Sequence, residues 1–290
     1  MRARMPTDRP CLLCANTRHR VVFREFEIDI FRCAGCGHVF SAFEGDPNYA
    51  SYFGDGPIDP GETQFWWNDA HRAMYDAFCA RYLAGKTGRL LDVGAGLGYF
   101  VQHASRVPGW EAHGSEMSKP AVDFAQKRLG LSTIRAGRLQ DAGFAPGSFD
   151  AITLWDVVEH LADPAALLTH IRTLLRQNGF LFLHTPNVDV QLVKAKLKRA
   201  LKGMRPGTHY LEAKDHLHLY STKTLRRVLI KAGFARVRFV HLPPIQSVAG
   251  SRNPLLRFGK NGWSQTSALL DGLTLGAINL DNLFAHASLS

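Results

Sequence analysis

LLDVGAGLGYF, residues 90–100, is the stretch of sequence that decides the fold. Residues 89–93 have the pattern of a short apolar strand, residues 94–98 form a glycine-rich turn, and the residues from Tyr99 onward favour a helix. Glycines in such a turn let the backbone approach a ligand at the N-terminus of the helix. The stretch therefore predicts a nucleotide-like ligand at the carboxyl end of a buried strand.

The spacing of the glycines distinguishes between two kinds of ligand. A dinucleotide fingerprint requires G-x-G-x-x-G/A, but the sixth position counted from Gly94 is Tyr99, and the other glycines are Gly96 and Gly98. A pyrophosphate would meet a side chain there. Asp92 lies two residues before the first glycine, where a carboxylate suits an ammonium group better than a pyrophosphate. The spacing favours S-adenosylmethionine, which carries an ammonium group.

These positions resemble the first motif of the class I S-adenosylmethionine-dependent methyltransferases, Asp-x-Gly-x-Gly-x-Gly, at Asp92, Gly94, Gly96 and Gly98. The resemblance implies S-adenosylmethionine as cofactor and an α/β fold with a doubly wound, Rossmann-like sheet of seven strands. It also implies that Glu116, at the end of the next strand, receives both ribose hydroxyls, because one carboxylate suits two neighbouring donors.

The later motifs of the family resemble residues 132–164. The family commonly offers an Asp to the adenine amino group, but this chain has Gly137-Arg138-Leu139 there, so we expect backbone groups and packing against Leu139 to hold adenine. Trp155 comes at the predicted end of the fourth strand, and we assign it to the cofactor site as well. In a doubly wound sheet such strand ends converge on one crevice.

Three histidines are candidate catalytic bases. The methyl group of a sulfonium is already activated, so the protein has to orient the acceptor and, for an oxygen or carbon nucleophile, remove its proton. His160 lies in VVEHLADP, a pattern similar to quinone-pathway methyltransferases, and His216 and His218 lie in KDHLHLYS, where a strand would place both on one face with Tyr220. Alternatively, these histidines only shape the pocket. Glu159 beside His160 offers two ligands to a divalent ion, which is an incomplete site.

The N-terminal cysteines predict a metal site. Cys11-x-x-Cys14 and Cys33-x-x-Cys36 are separated by 18 residues, within the spacing of zinc sites, and four thiolates close a tetrahedral shell around a structural Zn²⁺. A pair of disulfides conflicts with the cytoplasmic location that we expect, because residues 1–10 lack the apolar run of a secretion signal. Cys79 is predicted to be a core residue.

The predicted domains follow from these motifs. Residues 1–45 are assigned to a zinc ribbon, residues 46–85 to a linker and capping helix, and residues 86–290 to the methyltransferase domain. Within the methyltransferase domain, residues 188–218 are assigned to a basic lid insertion and residues 243–279 are assigned to a second insertion. The capping helix is expected over residues 63–83, with Trp66 and Trp67 in its core or cap.

The charge distribution bears on the partners. Lys and Arg exceed Asp and Glu by 10, and the pI of about 9.6 favours nucleic acid, an acidic membrane surface or phosphorylated substrates. Residues 191–207 carry six basic and no acidic side chains, and a helix there would align Val193, Leu197 and Leu201 in an apolar stripe. Such a helix suits an anionic bilayer or a phosphorylated acceptor, and a soluble lid is the alternative.

Three classes of function are consistent with the sequence. We favour methyl transfer to a small-molecule, glycan-precursor or lipid-linked acceptor, in the cytoplasm or at the inner face of the membrane. A ribosomal-RNA base methyltransferase is the first alternative, but the basic residues concentrate in one helix and Asn/Asp-Pro-Pro-Tyr is absent. The second alternative, a zinc-ribbon binding protein with an inactive methyltransferase domain, is disfavoured because Asp92, the three glycines and Glu116 are all present.

Overall fold

The computed structural model describes residues 10–45, 49–54, 56, 58–59, 61, 68–245, 254–274 and 279–290. Trp66 and Trp67 lie outside the described residues, as do parts of the predicted linker and of the second insertion. The strands of the described residues are β1 (His19–Glu25), β2 (Ile28–Cys33), β3 (Val39–Ser41), β4 (Gly88–Val93), β5 (Trp110–Glu116), β6 (Ile134–Ala136), β7 (Phe149–Trp155), β8 (Leu175–Thr185), β9 (His218–Leu219), β10 (Arg236–Val240) and β11 (Leu283–Ser288).

The helices connect these strands, and four of those in the described residues begin at a capping side chain, from Ser118, Asp163, Asn187 and Ser221. They are α1 (Arg72–Phe78), continued by a π-helical turn over Cys79–Leu83, α2 (Tyr99–Ser105), α3 (Lys119–Leu129), α4 (Pro164–Leu174), α5 (Val188–Lys202), α6 (Thr222–Lys231) and α7 (Pro254–Leu273). α6 has signals at both ends, since Ser221 forms a capping box with Thr224 and Gly233 follows the helix at a φ of +94°.

The central sheet has the order β10-β11-β8-β7-β4-β5-β6. The strands from β8 to β6 are parallel, whereas β11 runs antiparallel to both of its neighbours. Helices connect the parallel strands, which confirms the predicted seven-stranded, doubly wound α/β fold. The carboxyl ends of β4, β5 and β7 lie side by side and position the site.

The N-terminal ribbon shares a sheet with the remainder of the protein. Its strands have the order β1-β2-β3-β9, and β9 comes from the segment between α5 and α6. Val39 of β3 pairs with Leu219, and Phe40 pairs with His218. The strand predicted across residues 216–220 is therefore shorter than expected, and His216 lies in the turn before it, where its N–H donates to the carbonyl of Glu212.

Both faces of the ribbon sheet are covered. On one face Phe31 and Phe40 join the core cluster that contains Tyr220 and residues of α6. On the other face Phe23, Ile30 and Val39 pack against α5 and the segment that follows it. The ribbon is therefore built into the protein rather than attached by a linker alone.

Candidate active site

The glycine turn after β4 requires glycine for two reasons, which are its backbone conformation and the lack of space for a Cβ. Gly94, Gly96 and Gly98 have φ values of +72°, +51° and +81°, a region that other residues rarely adopt. A Cβ on Gly98 would lie 2.8 Å from Cδ1 of Ile134, and one on Gly94 would lie 2.6 Å from the side chain of Val157. The turn therefore keeps a tight path that leads into α2.

Glu116 is fixed against this turn. Its Oε2 accepts from the backbone N–H of Gly96 and its Oε1 from that of Ser118, both at 2.8 Å. Burial raises the pKa of Glu116, and the backbone donors partly offset that rise. Each carboxylate oxygen keeps a second acceptor position, so the group fits two ribose hydroxyl donors.

Asp92 is buried at the end of β4. The hydroxyl of Thr153 donates to its Oδ1 at 2.6 Å. Burial raises the pKa of Asp92 to about 8, and the nearby Glu116 contributes in the same direction. A cationic ligand would stabilise both carboxylates, and this donor set fits the ribose hydroxyls and the positive charge of S-adenosylmethionine.

Leu139 and Trp155, the other predicted cofactor contacts, are both buried. Leu139 begins a short 3₁₀ turn after β6, and the N–H of Gly137 just before it donates to the carbonyl of Glu116. The Trp155 ring lies 4.9 Å from that of Phe100 and 5.4 Å from that of Tyr75, within an aromatic cluster. Direct contact of Leu139 or Trp155 with the cofactor stays a prediction.

Asp156 follows β7 directly, at the carboxyl end of that strand. It has a φ of +53°, a strained conformation for a residue other than glycine that is often found at functional sites. Its Oδ1 lies 2.9 Å from Nδ1 of the fully buried His184. Burial opposes ionisation, but His184, with smaller contributions from His71 and His160, outweighs it and lowers the pKa of Asp156 to about 2.

Glu159, His160 and His216 form a cluster beside Asp156. One ligand atom from each lies within 4.8 Å of the others, so two of the three predicted bases come together. Burial, and then Asp156, raise the pKa of Glu159 to about 8, whereas burial and His160 lower that of His216 to about 3. Two histidines and one carboxylate also offer three ligand atoms to a divalent ion, one more than Glu159 and His160 alone.

The position of the hydrogen on His160 follows from its partner. Nδ1 lies 3.0 Å from the carbonyl oxygen of Asp215. Because a carbonyl only accepts, Nδ1 carries the hydrogen, and in the neutral ring Nε2 then keeps the lone pair. Tyr49 donates from its hydroxyl to the carbonyl of His160 at 2.6 Å, which fixes the backbone of the same residue.

His218 lies in a different environment. It is fully buried, its Nδ1 lies 2.9 Å from Nε2 of His38 in the ribbon, and its ring stacks on Tyr220. The structure therefore places His218 at the junction with the ribbon, and its catalytic role stays a prediction. Sequence reasoning missed His38 and His184, because their partners are distant in the chain and no local motif marks them.

The four ribbon cysteines come together as predicted. The sulfurs of Cys11 and Cys36, and those of Cys14 and Cys33, are 3.6 Å apart, and all four lie within 4.8 Å of one another. A disulfide needs about 2.05 Å, whereas four sulfurs at about 2.3 Å from one zinc lie about 3.8 Å apart. The cluster thus fits a zinc ribbon. Cys79 is partly buried beside the aromatic core and outside this cluster.

The sheet order, the glycine turn and the placement of Glu116 define a class I S-adenosylmethionine-dependent methyltransferase. The chain belongs to the methyltransferase domain family, which matches residues 66–238. It is similar to the ubiquinone biosynthesis O-methyltransferase of Ralstonia nicotianae, at 29% identity over 68% of this chain and 87% of that protein. The protein of the same name from Neisseria meningitidis serogroup C is 30% identical over 50% of this chain and 68% of its own length.

A solved structure shares the fold. It is a complex between a Haloferax volcanii methyltransferase and its activator, with a TM-score of 0.53 and 16% identity over 79% of this chain and 92% of that chain. Within the described residues, none of the helices has both the length and the apolar character needed to span a bilayer.

Proposed function

We propose that the protein transfers the methyl group of S-adenosylmethionine to a hydroxyl oxygen of a small molecule, with His160 as the base. The hydrogen bond from Nδ1 of His160 to the Asp215 carbonyl carries the proposal, because it leaves Nε2 free to accept a proton. The cluster is close to the cofactor turn, since Val157, next to Asp156, contacts Gly94. The similarity to relatives named O-methyltransferases supports oxygen as the methylated atom.

The other residues of the cluster have supporting roles. Ionised Asp156 is held by His184, so it can accept a hydrogen bond from the acceptor and orient it. A divalent ion bound by Glu159, His160 and His216 would instead lower the pKa of an acceptor hydroxyl, so the requirement for metal has to be measured separately. The comparisons lend no support to a ribosomal-RNA acceptor.

Transfer assays with labelled cofactor test this function. The acceptors are 3,4-dihydroxybenzoate, a nucleotide sugar and a short RNA, each with and without magnesium and a chelator. We expect methylation of a small hydroxylated acceptor and a loss of about a hundredfold in His160→Ala, the usual size for a general base, with unchanged affinity for S-adenosylhomocysteine. The control is His209→Ala, whose side chain is 80% exposed. Methylation of RNA alone, or full activity of His160→Ala, would contradict the proposal.

We further propose that α5 contacts an anionic bilayer, which suits a lipid-linked acceptor. Val193, Leu197 and Leu201 are 66%, 58% and 74% exposed and form one apolar stripe along the helix. Lys194 and Lys198 flank this stripe and are exposed as well. An apolar stripe beside lysines is the pattern of helices that lie in the interface of anionic membranes.

Vesicle flotation tests this contact. Phosphatidylglycerol vesicles should bind the protein, phosphatidylcholine vesicles should bind it less, and salt should weaken binding. Leu197→Asp with Leu201→Asp should abolish binding, whereas Ile230→Asp, at an exposed apolar residue of α6, should not. A gel shift with RNA runs in parallel with Lys194→Ala and Lys198→Ala. Binding to RNA but not to vesicles would refute the membrane contact, and binding to neither makes α5 a soluble lid.

A further inference from the structure

The segment between α5 and β9, residues 203–217, carries His216 and is held from the side of the ribbon. The carboxylate of Glu25, at the end of β1, accepts from the backbone N–H groups of Tyr210, Leu211 and Ala213 at 3.2, 3.3 and 2.9 Å. Glu25 is only 6% exposed. A buried carboxylate that receives three backbone donors is a strong and specific tie between two parts of a chain.

These bonds fix a strained turn. Glu212 lies between two of the three donors and has a φ of +57°, a conformation that a residue with a Cβ rarely adopts unless its neighbours impose it. The carbonyl of Glu212 in turn accepts from the N–H of Asp215 at 2.9 Å and from that of His216 at 2.8 Å. A short series of hydrogen bonds therefore leads from Glu25 to the backbone of His216.

The ribbon also holds this segment on the other side of His216. Ser41 of β3 donates from its hydroxyl to the carbonyl of Ala213 at 2.5 Å, and its N–H donates to the carbonyl of Leu217 at 3.0 Å. His218, bonded to His38, donates from its N–H to the carbonyl of Glu159 at 2.9 Å. The ribbon is thus tied to the backbone on both sides of His216 and, through His218, to the loop that carries His160.

We propose that the ribbon holds the segment that carries His216 in place at the acceptor site and that Glu25 is a positioning residue for His216. Glu25 acts through the turn at Glu212 and touches neither cofactor nor acceptor. The inference rests on the proposed function only in assigning His216 to the acceptor side. Its consequence is that damage to Glu25 affects the acceptor half and spares the cofactor pocket.

The test compares Glu25→Ala, Glu25→Gln and Glu27→Ala in the full-length protein loaded with zinc. Glu27 is exposed, two residues further along, and serves as the matched control. Hydrogen exchange of residues 210–217, labelling of His216 by diethyl pyrocarbonate, zinc content and affinity for S-adenosylhomocysteine are measured on each. We expect exchange in residues 210–217 to rise about tenfold in Glu25→Ala, with faster labelling of His216.

Zinc content and cofactor affinity should change less than about twofold. Glu25→Gln, which keeps one acceptor oxygen, should recover part of the protection, and Glu27→Ala should match the wild type. Where an acceptor is methylated, kcat should fall more than the KM for S-adenosylmethionine rises.

Two outcomes would overturn the inference. Wild-type exchange in Glu25→Ala would mean that the three hydrogen bonds do not hold the turn. Exchange that rises throughout the protein, together with loss of zinc or of cofactor binding, would mean that Glu25 only stabilises the fold. Failure of the proposed function has a different signature, since His160→Ala would keep full activity whatever happens to exchange in residues 210–217.

Discussion

The cofactor half and the acceptor half of the site are assembled in different ways. Asp92, Gly96 and Glu116 all lie within one strand–turn–helix–strand unit, on β4, the glycine turn and β5. The acceptor half that we propose takes Asp156 and His160 from the loop after β7, His184 from β8 and His216 from the segment held by the ribbon. A local unit fixes the first half, whereas long-range contacts fix the second, so the two should respond separately to mutation.

The largest expected effect is loss of zinc from the ribbon without a change in the cofactor pocket. Cys33→Ser removes one of four ligands, so zinc should fall from about one per chain to nearly none, because a structural site loses most of its affinity with a ligand. Affinity for S-adenosylhomocysteine should change less than about twofold. Metal analysis and calorimetry measure both, with Cys79→Ser as the control that keeps zinc. Wild-type protein without zinc would contradict the assignment of the metal.

The next largest effect is expected in the cofactor pocket, with the ribbon left unchanged. Glu116→Ala should weaken S-adenosylhomocysteine binding by about 2–4 kcal/mol, roughly thirty- to eight-hundred-fold, because a carboxylate with two hydroxyl donors is lost. Zinc content and exchange in residues 210–217 should stay as in the wild type. Glu111→Ala, on the same strand but exposed, is the control for calorimetry. Unchanged affinity in Glu116→Ala would mean that the ribose binds elsewhere.

A smaller effect concerns the proton that Asp92 releases when the cofactor binds. The pKa of Asp92 is raised from 3.8 to about 8, so near pH 7 the group is largely protonated, and its contribution to stability falls as pH rises from about 4 and is fully lost by about pH 8. A cationic cofactor favours the carboxylate, so binding should release a proton and tighten by at most about tenfold per pH unit below pH 8. Calorimetry in buffers of different ionisation enthalpy measures this release. Asp92→Asn should abolish it, and an equal release in that variant would assign the proton to another group.

The smallest expected effect tests the hydrogen bond that Thr153 donates to Asp92. Thr153→Val removes the hydroxyl that donates to Oδ1, so cofactor affinity should fall by about 0.5–1.5 kcal/mol, roughly two- to tenfold. Release of protons on binding should become larger, because the carboxyl loses a group that favours its ionised form. Thermal unfolding of the unliganded variant controls for damage to the sheet. A loss as large as in Glu116→Ala would show that Thr153 does more than hold Asp92.

Much of the cofactor half could be predicted because the residues that define it lie close together in the sequence. The glycines, Asp92 and Glu116 lie at fixed intervals on consecutive elements, and the spacing alone specifies the turn and the strand ends. The cysteine pairs are local in the same sense, and the four sulfurs come together as the spacing predicts. The apolar stripe of α5 was also visible, but the structure shows that it faces outward while Val188, Leu192 and Ala195 face the ribbon.

The acceptor half could not be predicted in the same way. Glu25 and Ala213 are 188 residues apart and His38 and His218 are 180 apart, and nothing in either local sequence marks the partner. Alternation suggested that His216 and His218 share the face of one strand, but His216 lies in the turn that follows Glu212, and only His218 lies in β9, where it pairs with the ribbon. Strand periodicity fails there because a tertiary contact decides the local backbone.

The pairing of β3 with β9 also sets an order of events during synthesis. The ribosome makes the ribbon first, yet its edge strand finds its partner only when His218, 180 residues after His38, has emerged. At about 5–20 residues per second, this interval lasts roughly 10–40 s. Until these segments have been made, the edge of β3 has no partner strand and the faces that carry Phe23 and Phe40 lack α5, which precedes His218, and α6, which follows it. The nascent chain therefore presents an apolar surface and an unpaired strand edge for roughly 10–40 s, until the late segment arrives.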